Sequence, residues 1–471
     1  MQIVKNEKKI PIIFLLLSTV PGLLCAQSLN FGSTSGKTNA FDLAVWTVDN
    51  NTDGLLLKAG ADYGGEWTRD ISINSWNAVS LLRPEVAEYS LWSVTNNRKT
   101  IGHQYWDKII WVIAAWNHYL VTGRHEFLTQ AYACSKATML QLEDSVFDKT
   151  YGLFTGPAVF QDGIAAYDEP VYEPSFDDKS YVLDHPNSHH IMCLSTNAVY
   201  YQAYICLAEM AEICEPAAVK AYRNKAKALK RSFRRHFYNK SEGKLYYLID
   251  HQGRKHDYQE ALGVAYTILF RLVSKSEARH IITHSYRSAN GVPAVWPCFP
   301  RFSKEKPGRH NVMIWPHVNM FFAAACAQAG MKDTFWDEVN AITRLALEAD
   351  STPNFHEIYT IDGIPSGGWQ CGQLWPPLNH QTWCATGMLR IYLHHIIGLQ
   401  PVVSGLRFRP IGSEDGRPVV VKGIPYRNAL LDVTIKGTGS HVSSFRVNGK
   451  ESKPFIPSSV TGRIEITIFL N

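Results

Sequence analysis

Apolar residues recur three or four positions apart over most of the first 400 residues, the spacing of amphipathic and buried helices. This periodicity predicts eleven helices, at 70–82, 86–95, 106–122, 126–147, 190–213, 217–238, 257–273, 276–287, 314–329, 332–349 and 381–399. A weaker pattern at 41–49, which contains β-branched residues, suggests a twelfth. The helices form pairs joined by tight turns, such as those at 83–85 and 123–126.

The connections between pairs are long and rich in Trp, Tyr, His and acidic residues. They occupy 63–70, 102–107, 156–176, 249–260, 307–317 and the stretch 351–390, which runs into the last helix. Short and long connections that alternate place every long loop at one end of the helical layer. We therefore expect a mainly α fold, an (α/α)6 barrel of six helical hairpins whose long loops meet over one pocket.

After residue 399 the pattern changes to the alternation of strands, with many Val, Ile, Thr, Gly and Pro residues. The alternation is clearest at 429–437 and 462–470, and Asn448-Gly449 is a hairpin signal. Residues 400–471 are therefore predicted to form a small C-terminal β-sandwich-like domain. It lacks clusters of acids or Trp, so we expect it to pack structurally against a barrel at 27–399.

The N-terminus carries the pattern of an export signal. Three lysines in the first nine residues precede an apolar run at 10–24, and cleavage is expected after Ala26. Residues 1–26 are thus predicted to be a signal peptide, and the mature chain to be periplasmic or secreted. Lipid attachment at Cys25 is the less favoured alternative, because Leu24 before it fits that signal poorly. No later run is apolar enough to span a membrane.

The composition limits the kinds of ligand that the protein is expected to bind. Aromatic residues make up 12% of the chain, with 13 Trp, which favours a carbohydrate ligand because aromatic faces stack on sugar rings. The net charge is only +5 and no long basic run occurs, which argues against nucleic acid. The cysteines form no CxxC pair and the histidines match no compact zinc signature, so we expect no metal and no other cofactor.

One carboxylate, Glu357, stands at the start of a loop rich in glycine and tryptophan. His356 and Tyr359 flank it, and Gln381 and Trp383 open the last helix beyond that loop. A carboxylate among aromatic rings can take a proton from water beside a bound sugar, which makes Glu357 the candidate general base. The plain alternative is a structural glutamate in an ordinary surface loop.

Glycoside hydrolysis needs a second carboxyl group to donate a proton to the leaving oxygen. Asp162 is the candidate, because it lies between Phe160 and Gly163 and near Tyr167, where aromatic neighbours would raise its pKa. The alternative is a turn-forming Asp-Gly pair. Nearby acids could take its place: Asp168, Glu169, Glu173, Asp177 and Asp178.

The segment GGEWTRD at 64–70 offers a second polar cluster. Arg69 and Asp70 could bind sugar hydroxyls while Trp67 stacks on the ring, and Asp70 is also placed to be the N-cap of its helix. The other candidate substrate-binding residues come from the long loops: Trp106, Tyr167, Trp315, His317, His356, Trp369, Gln381 and Trp383.

These segments resemble the six-hairpin (α/α)6-barrel glycosidases, such as trehalases, processing α-glucosidases, mannosylglycerate hydrolase and rhamnosidases. The likeness covers about residues 40–399 and rests on GGEWTRD, AVWP, MIWPH, HEIY and QTWCAT. It implies an exo-acting glycosidase on an α-linked sugar that inverts configuration, with Asp162 as acid and Glu357 as base. Cys384 stands where the relatives have Ser, which leaves the substrate open.

Two other classes of function remain. A polysaccharide lyase on a helical toroid would hold a uronic acid through basic residues such as Arg254, Lys255 and Arg309. Only a lyase makes an unsaturated product that absorbs light. A carbohydrate-binding protein without catalysis would show an effect of Glu357 on affinity and none on turnover. The sugar, the anomer and the linkage stay open.

Overall fold

The structure is a computed structural model that describes residues 30–31, 39–63, 66–161, 182, 185–300, 302–370 and 373–471. Several residues singled out in the sequence lie outside this set. They are the predicted signal peptide, Asp162, Tyr167 and the alternative acids of the same loop.

The barrel half of the chain is helical. Its helices are α1 (Ala40–Asn50), α2 (Thr68–Asn74), α3 (Ser80–Leu82), α4 (Pro84–Ser93), α5 (Ile110–Thr122), α6 (His125–Val146), α7 (Leu194–Cys214), α8 (Val219–Phe237), α9 (Ala261–Leu269), α10 (Lys275–His284), α11 (Pro316–Ala329), α12 (Lys332–Glu348) and α13 (Thr382–Arg390). A π-helical turn at Ser75–Val79 joins α2 to α3, and another at Ile391–Ile396 extends α13.

Six of these helices contact one another in a closed cycle, in the order α2, α5, α7, α9, α11, α13 and back to α2. The remaining long helices pack outside this ring, as α8 does on α7 and α12 on α11. Burial follows from the sequence: α11 is buried along nearly its whole length, whereas α8 buries one stripe. That stripe is Tyr222, Ala226, Leu229, Phe233 and Phe237. The result is a helical barrel.

The predicted helices are present, including the weakly patterned one at the start, but several of them begin later than expected. In three of these, α7, α9 and α11, short strands take the place of the first predicted residues. Residues 192–193 pair with Leu248–Ile249, and Gln259–Glu260 pair with Val295–Trp296, as short strands ahead of α7 and α9. Met313–Ile314 likewise pair with Tyr359–Thr360 ahead of α11. Pairing between neighbouring loops overrides the helical periodicity there and ties the long loops together.

Short two-residue ladders also follow the outer helices. They pair Thr52–Asp53 with Leu56–Leu57, Thr95–Asn96 with Thr100–Ile101, Phe147–Asp148 with Leu153–Phe154, and Tyr238–Asn239 with Lys244–Leu245. Beyond each ladder the chain enters one of the long loops. None of the described helices combines the length and the apolar character that a membrane span requires.

The C-terminal part is a sheet domain. Its larger sheet runs in the order Asn30–Phe31, Val419–Tyr426, Asn428–Lys436, Thr461–Leu470, Val442–Val447 and Lys450–Glu451. A second sheet joins Leu399–Val402, Gly405–Phe408 and Phe455–Pro457. Residues alternate between buried and half-buried along Asn428–Lys436, as the sequence predicted. Asn448 and Gly449 both take positive φ in the predicted hairpin turn.

Candidate active site

A pocket opens where α2, α11 and α13 begin. Its cavity of about 280 Å³ is lined by Tyr63, Trp67, Arg69, Asp70, Phe160, Arg309, His310, Trp315, Glu357, Gln370, Trp375 and Trp383. The loop at 63–70 therefore meets the loop at 356–375, and the Tyr63 hydroxyl lies 3.3 Å from Glu357 Oε2. The prediction that these two loops share one end of the barrel is confirmed.

Glu357 is buried in the wall of this pocket, with only 3% of its surface exposed. Its Oε2 forms an ion pair with Arg309 and accepts a hydrogen bond from the Tyr63 hydroxyl. Arg309 also donates to the Tyr63 hydroxyl oxygen at 2.7 Å. Burial and the nearby Glu357 raise the pKa of Tyr63, which keeps this phenol a neutral donor. The three side chains thus fix the orientation of the carboxylate.

The backbone around Glu357 is fixed as firmly as its side chain. Its amide donates to the Leu378 carbonyl at 2.9 Å, and the next residues pair with the strand ahead of α11. The Cys384 thiol lies 3.9 Å from the Glu357 carbonyl oxygen, as a long sulfur hydrogen bond. Burial raises the pKa of this thiol well above its usual value, so Cys384 is a neutral packing residue there.

Arg309 also anchors the loop that covers the pocket. Its Nη1 donates to the Gly367 carbonyl at 2.6 Å, and its backbone amide donates to the Trp369 carbonyl at 3.2 Å. Gly368 has a φ of +70°, and a Cβ there would approach Arg309 Cα to 2.5 Å. Glycine is therefore needed for the loop to lie this close.

Elsewhere in the pocket lining, Arg69 holds two carboxylates. Its guanidinium lies 3.0 Å from Asp107 and 3.3 Å from Asp70. The N-cap of α2 is Trp67, whose side chain makes no capping hydrogen bond, so the interpretation of Asp70 as an N-cap is wrong. Asp70 instead lies in the first turn of α2 and faces the cavity, where the helix dipole favours its negative charge.

Stacked rings support the floor of the pocket. His317 stacks on Trp383, with ring centroids 4.1 Å apart. Phe160 contacts the His317 ring edge to face, with ring centroids 5.0 Å apart. Burial, and to a smaller degree Arg69, lowers the pKa of His317 well below its usual value, so this ring is neutral. His317 lies behind Trp383 and outside the cavity lining, which makes it a supporting residue.

Of the residues singled out in the sequence, Trp67, Arg69, Asp70, Trp315, Glu357 and Trp383 line the cavity. Trp106, His317, His356, Trp369 and Gln381 lie outside its described lining. His356 is buried 3.5 Å from Asp350, and Trp106 is enclosed in a separate apolar cluster. Trp369 lies under Lys306 in the covering loop, and Gln381 packs against Gly60.

Sequence reasoning missed several residues of the pocket. Tyr63 and His310 were not singled out, Arg309 was considered only for a lyase, and Asp107, the partner of Arg69, was overlooked. All of them lie in the predicted long loops or at their ends. The signal that could have found them is the presence of polar residues there, but the sequence does not show which loops touch.

The part of the chain that the structure describes holds no group of three or more His, Cys, Asp or Glu side chains able to bind a metal ion. The described polar side chains of the pocket are carboxylates, arginines, hydroxyl or indole donors, the imidazole of His310 and the amide of Gln370. These groups can bind sugar hydroxyls and move a proton.

A helical barrel with a buried carboxylate in an aromatic pocket suits a glycosidase. Residues 70–363 match the family model of the mannosylglycerate hydrolase MGH1-like glycoside hydrolase domain. This match spans more than half of the chain, and the chain therefore belongs to that family of glycoside hydrolases. No curated protein matches it by sequence.

Solved structures show the same fold at low sequence identity. A sialidase superposes with a TM-score of 0.67 at 14% identity, over 90% of this chain and 40% of its own. The GH63 mannosylglycerate hydrolase from Thermus thermophilus, in complex with glucose, gives 0.58 at 14% identity, over 75% of this chain and 100% of its own. A rhamnosidase from Klebsiella oxytoca with rhamnose bound superposes with a TM-score of 0.54 at 12% identity, over 75% of this chain and 63% of its own.

Proposed function

We propose that this glycosidase is an exported, exo-acting enzyme that inverts the configuration of an α-linked sugar, with Glu357 as general base and Asp162 as general acid. The observation that carries the proposal is the buried Glu357 carboxylate, held by Arg309 and Tyr63 in the wall of an aromatic pocket. We also propose the six-hairpin (α/α)6 form of the barrel, which the closed cycle of inner helices supports.

The ion pair suits Glu357 to the role of base. A guanidinium in contact with a carboxylate favours its charged form, which is the form that accepts a proton from water. Tyr63, as a neutral donor on the same oxygen, fixes the carboxylate without competing for that proton. Both contacts lie on Oε2, so they set the plane of the group relative to the bound sugar.

The assignment of Asp162 rests on its place in the chain, since it lies outside the described residues. Phe160, two residues earlier, lines the cavity with a left-handed φ of 60°. The amide of Val159 is held by the Ser195 hydroxyl at 3.0 Å, which fixes the approach of this loop. For inversion, the acid and base carboxyl groups should stand about 6.5–9.5 Å apart, with room for a water.

The size of the pocket supports the proposal of exo action. A cavity of about 280 Å³ is slightly smaller than the usual range for ligand pockets, which begins near 300 Å³. It fits a terminal sugar and a small leaving group better than the interior of a long chain. Arg69 and Asp70 are placed to bind hydroxyls of that sugar, and Trp383 to stack on it.

The substrate is best sought among the compounds that the similar structures act on or bind. We propose a panel of mannosylglycerate, α-rhamnosides and sialosides beside nitrophenyl glycosides and natural disaccharides. NMR of the first-formed anomer tests inversion. A product that keeps the configuration of the substrate would refute it.

The roles of the two acids are tested by turnover. Glu357→Gln keeps the shape and removes the base, so kcat should fall by roughly two to four orders of magnitude. Asp162→Asn should slow natural glycosides more than activated aryl glycosides, which need less protonation. Glu260→Gln is the matched control, because Glu260 is buried outside the pocket. Full activity of Glu357→Gln would refute the assignment, and full activity of Asp162→Asn would shift the acid to Asp168 or Glu173.

The lyase alternative is not favoured by the site. Arg254 pairs with Asp250 at 2.7 Å, and neither it nor Lys255 lines the described pocket. Arg309 is engaged by Glu357, and Arg69 by Asp70 and Asp107, so both arginines of the described pocket lining already have carboxylate partners.

A further inference from the structure

Two adjoining cavities lie at the other end of the barrel, against the first strand of the sheet domain. One, of about 280 Å³, is lined from five of the inner helices and both π-helical turns, by Trp76, Ile113, Gln202, Leu269, Gln328 and Arg390 among others. The second, of about 520 Å³, shares Gln328, His394, His395 and Gln400 with it. We call the two together the basal cleft.

The basal cleft is strongly positive. Its lining contains Arg271, Lys275, Arg390 and Arg409, and no Asp or Glu is among its described lining residues. None of these four cations forms an ion pair with a described residue. Four uncompensated charges in one cleft are a large share of the net charge of +5 that the whole chain carries. Such a concentration of positive charge makes the local electrostatic potential positive, which attracts anions.

Arg390 is the deepest of these cations, with 9% of its surface exposed. Its guanidinium lies 4.4 Å from the ring centre of Trp76, and its Nη1 is 3.5 Å from Asn77 Oδ1. Its Nε has no hydrogen-bond partner among the described residues. Burial lowers the pKa of Arg390 to about 10, so it remains charged near neutral pH. A buried guanidinium is normally part of an ion pair, and this one forms no ion pair with a described residue.

The backbone at this site is unusual as well. Both π-helical turns, Ser75–Val79 and Ile391–Ile396, contribute to the cleft, and such turns are frequent at functional sites. His394 bridges them, with its ring nitrogens 3.1 Å from the Asn77 carbonyl and 2.9 Å from that of Leu399. Burial, and then Arg390, lowers the pKa of His394 to about 4, so the charge of the cleft comes from the four fixed cations.

A purely structural role for these cations would be to neutralise the carboxyl ends of the inner helices. Three carbonyls at or near the ends of α9 and α11 already have other donors. Arg279 donates to Ala329 at 2.8 Å, Arg234 donates to Leu272 at 3.0 Å, and Gln328 donates to Ile268. At these three carbonyls, the four cations of the cleft are therefore not required as helix caps.

We propose that the basal cleft is a second ligand site that binds an oxyanion, either phosphate or the carboxylate of a small anionic molecule. Arg390 at its deep end offers a planar set of N–H donors that suits bidentate binding of such groups. Arg271, Lys275 and Arg409, which are exposed, would attract the anion and hold it at the mouth. The site is separate from the sugar pocket and does not depend on the proposed function.

The test is calorimetric and thermal, on the full chain without its predicted signal peptide. Binding of inorganic phosphate and of glycerate is measured at constant ionic strength set with sodium chloride. Phosphate should raise Tm, because it binds the folded state. Arg390→Gln should weaken its Kd about tenfold or more, and Arg409→Gln by a smaller factor. Arg407→Gln is the matched control and should bind as the wild type does, because Arg407 is exposed on the strand Gly405–Phe408 and lies outside the described lining of the cleft.

The comparison of the two anions identifies which kind of oxyanion the cleft binds. Tighter binding of phosphate indicates a phosphoryl group, and tighter binding of glycerate indicates a carboxylate. If neither anion binds, or if Arg390→Gln binds both as the wild type does, the proposal is overturned. Should Arg390→Gln fail to fold, the double variant Lys275→Gln/Arg409→Gln decides in its place, because both residues are exposed.

Discussion

The ion pair between Arg309 and Glu357 should make a large and measurable contribution to stability. The two side chains are 8% and 4% exposed, so removal of either leaves the other charge buried. Loss of one partner of a buried pair typically costs about 3–5 kcal/mol. Tyr63 and the Gly367 carbonyl remain as partners of Arg309, so Glu357→Gln should cost less than Arg309→Met, which strands the carboxylate.

A double-mutant cycle separates the pair from its surroundings. The variants Arg309→Met, Glu357→Gln and the double variant are unfolded in urea, and the free energies of unfolding are compared. The double variant should be more stable than the sum of the single effects predicts, by about 1–3 kcal/mol, because neither charge is then stranded. The coupling should change little with added salt, since buried pairs are weakly screened.

The exposed pair Arg446–Glu451 provides the control for this cycle. Its side chains are 50% and 60% exposed, and such pairs contribute about 0–1 kcal/mol. Additive effects of Arg309→Met and Glu357→Gln, within about 0.5 kcal/mol, would refute the picture of a coupled buried pair.

Three single positions allow further tests. Burial raises the pKa of Glu260 to about 8, and an unfolded carboxyl ionises near pH 4.3, so stability should fall as pH rises from about 4 towards 8. Glu260→Gln should flatten that dependence in urea titrations at several pH values, and an unchanged slope would contradict it. Gly368→Ala should strain the covering loop and lower kcat/KM tenfold or more, whereas Gly449→Ala, whose added Cβ meets no neighbour, should spare it. Trp383→Ala should raise KM, because it removes a ring from the pocket wall, and an unchanged KM would exclude Trp383 from sugar binding.

Much of the fold could be predicted because helical periodicity is a local property. The buried stripe of α8 and the alternation along Asn428–Lys436 can both be read within single segments of sequence. The starts of α7, α9 and α11 could not, because residues such as Gln259 leave the helical pattern to pair with a strand that is distant in sequence, at Val295–Trp296. Pairing over that distance depends on the closure of the barrel.

The site divides in the same way. Glu357, Trp383 and Arg69 could be selected because their residue types and neighbours in sequence suit sugar chemistry. Arg309 and Tyr63 could not, because their importance comes from contacts with Glu357 across 48 and 294 residues. A basic residue in a long loop can have many roles. The role of Arg309 becomes clear only from its contact with Glu357 in the structure.

The direction of the inner helices accounts for both ends of the barrel. α2, α11 and α13 begin at the sugar pocket, where the positive ends of their dipoles favour carboxylates such as Asp70. The opposite ends carry partial negative charge, which favours cations such as Arg390 in the absence of a ligand. The electric field of the helix dipoles falls off within about one helical turn. It can therefore explain one cation at this end of the barrel, and it does not explain four. An anion in the basal cleft would balance the other three charges. The barrel would then hold carboxylate chemistry at one end and an anion site at the other.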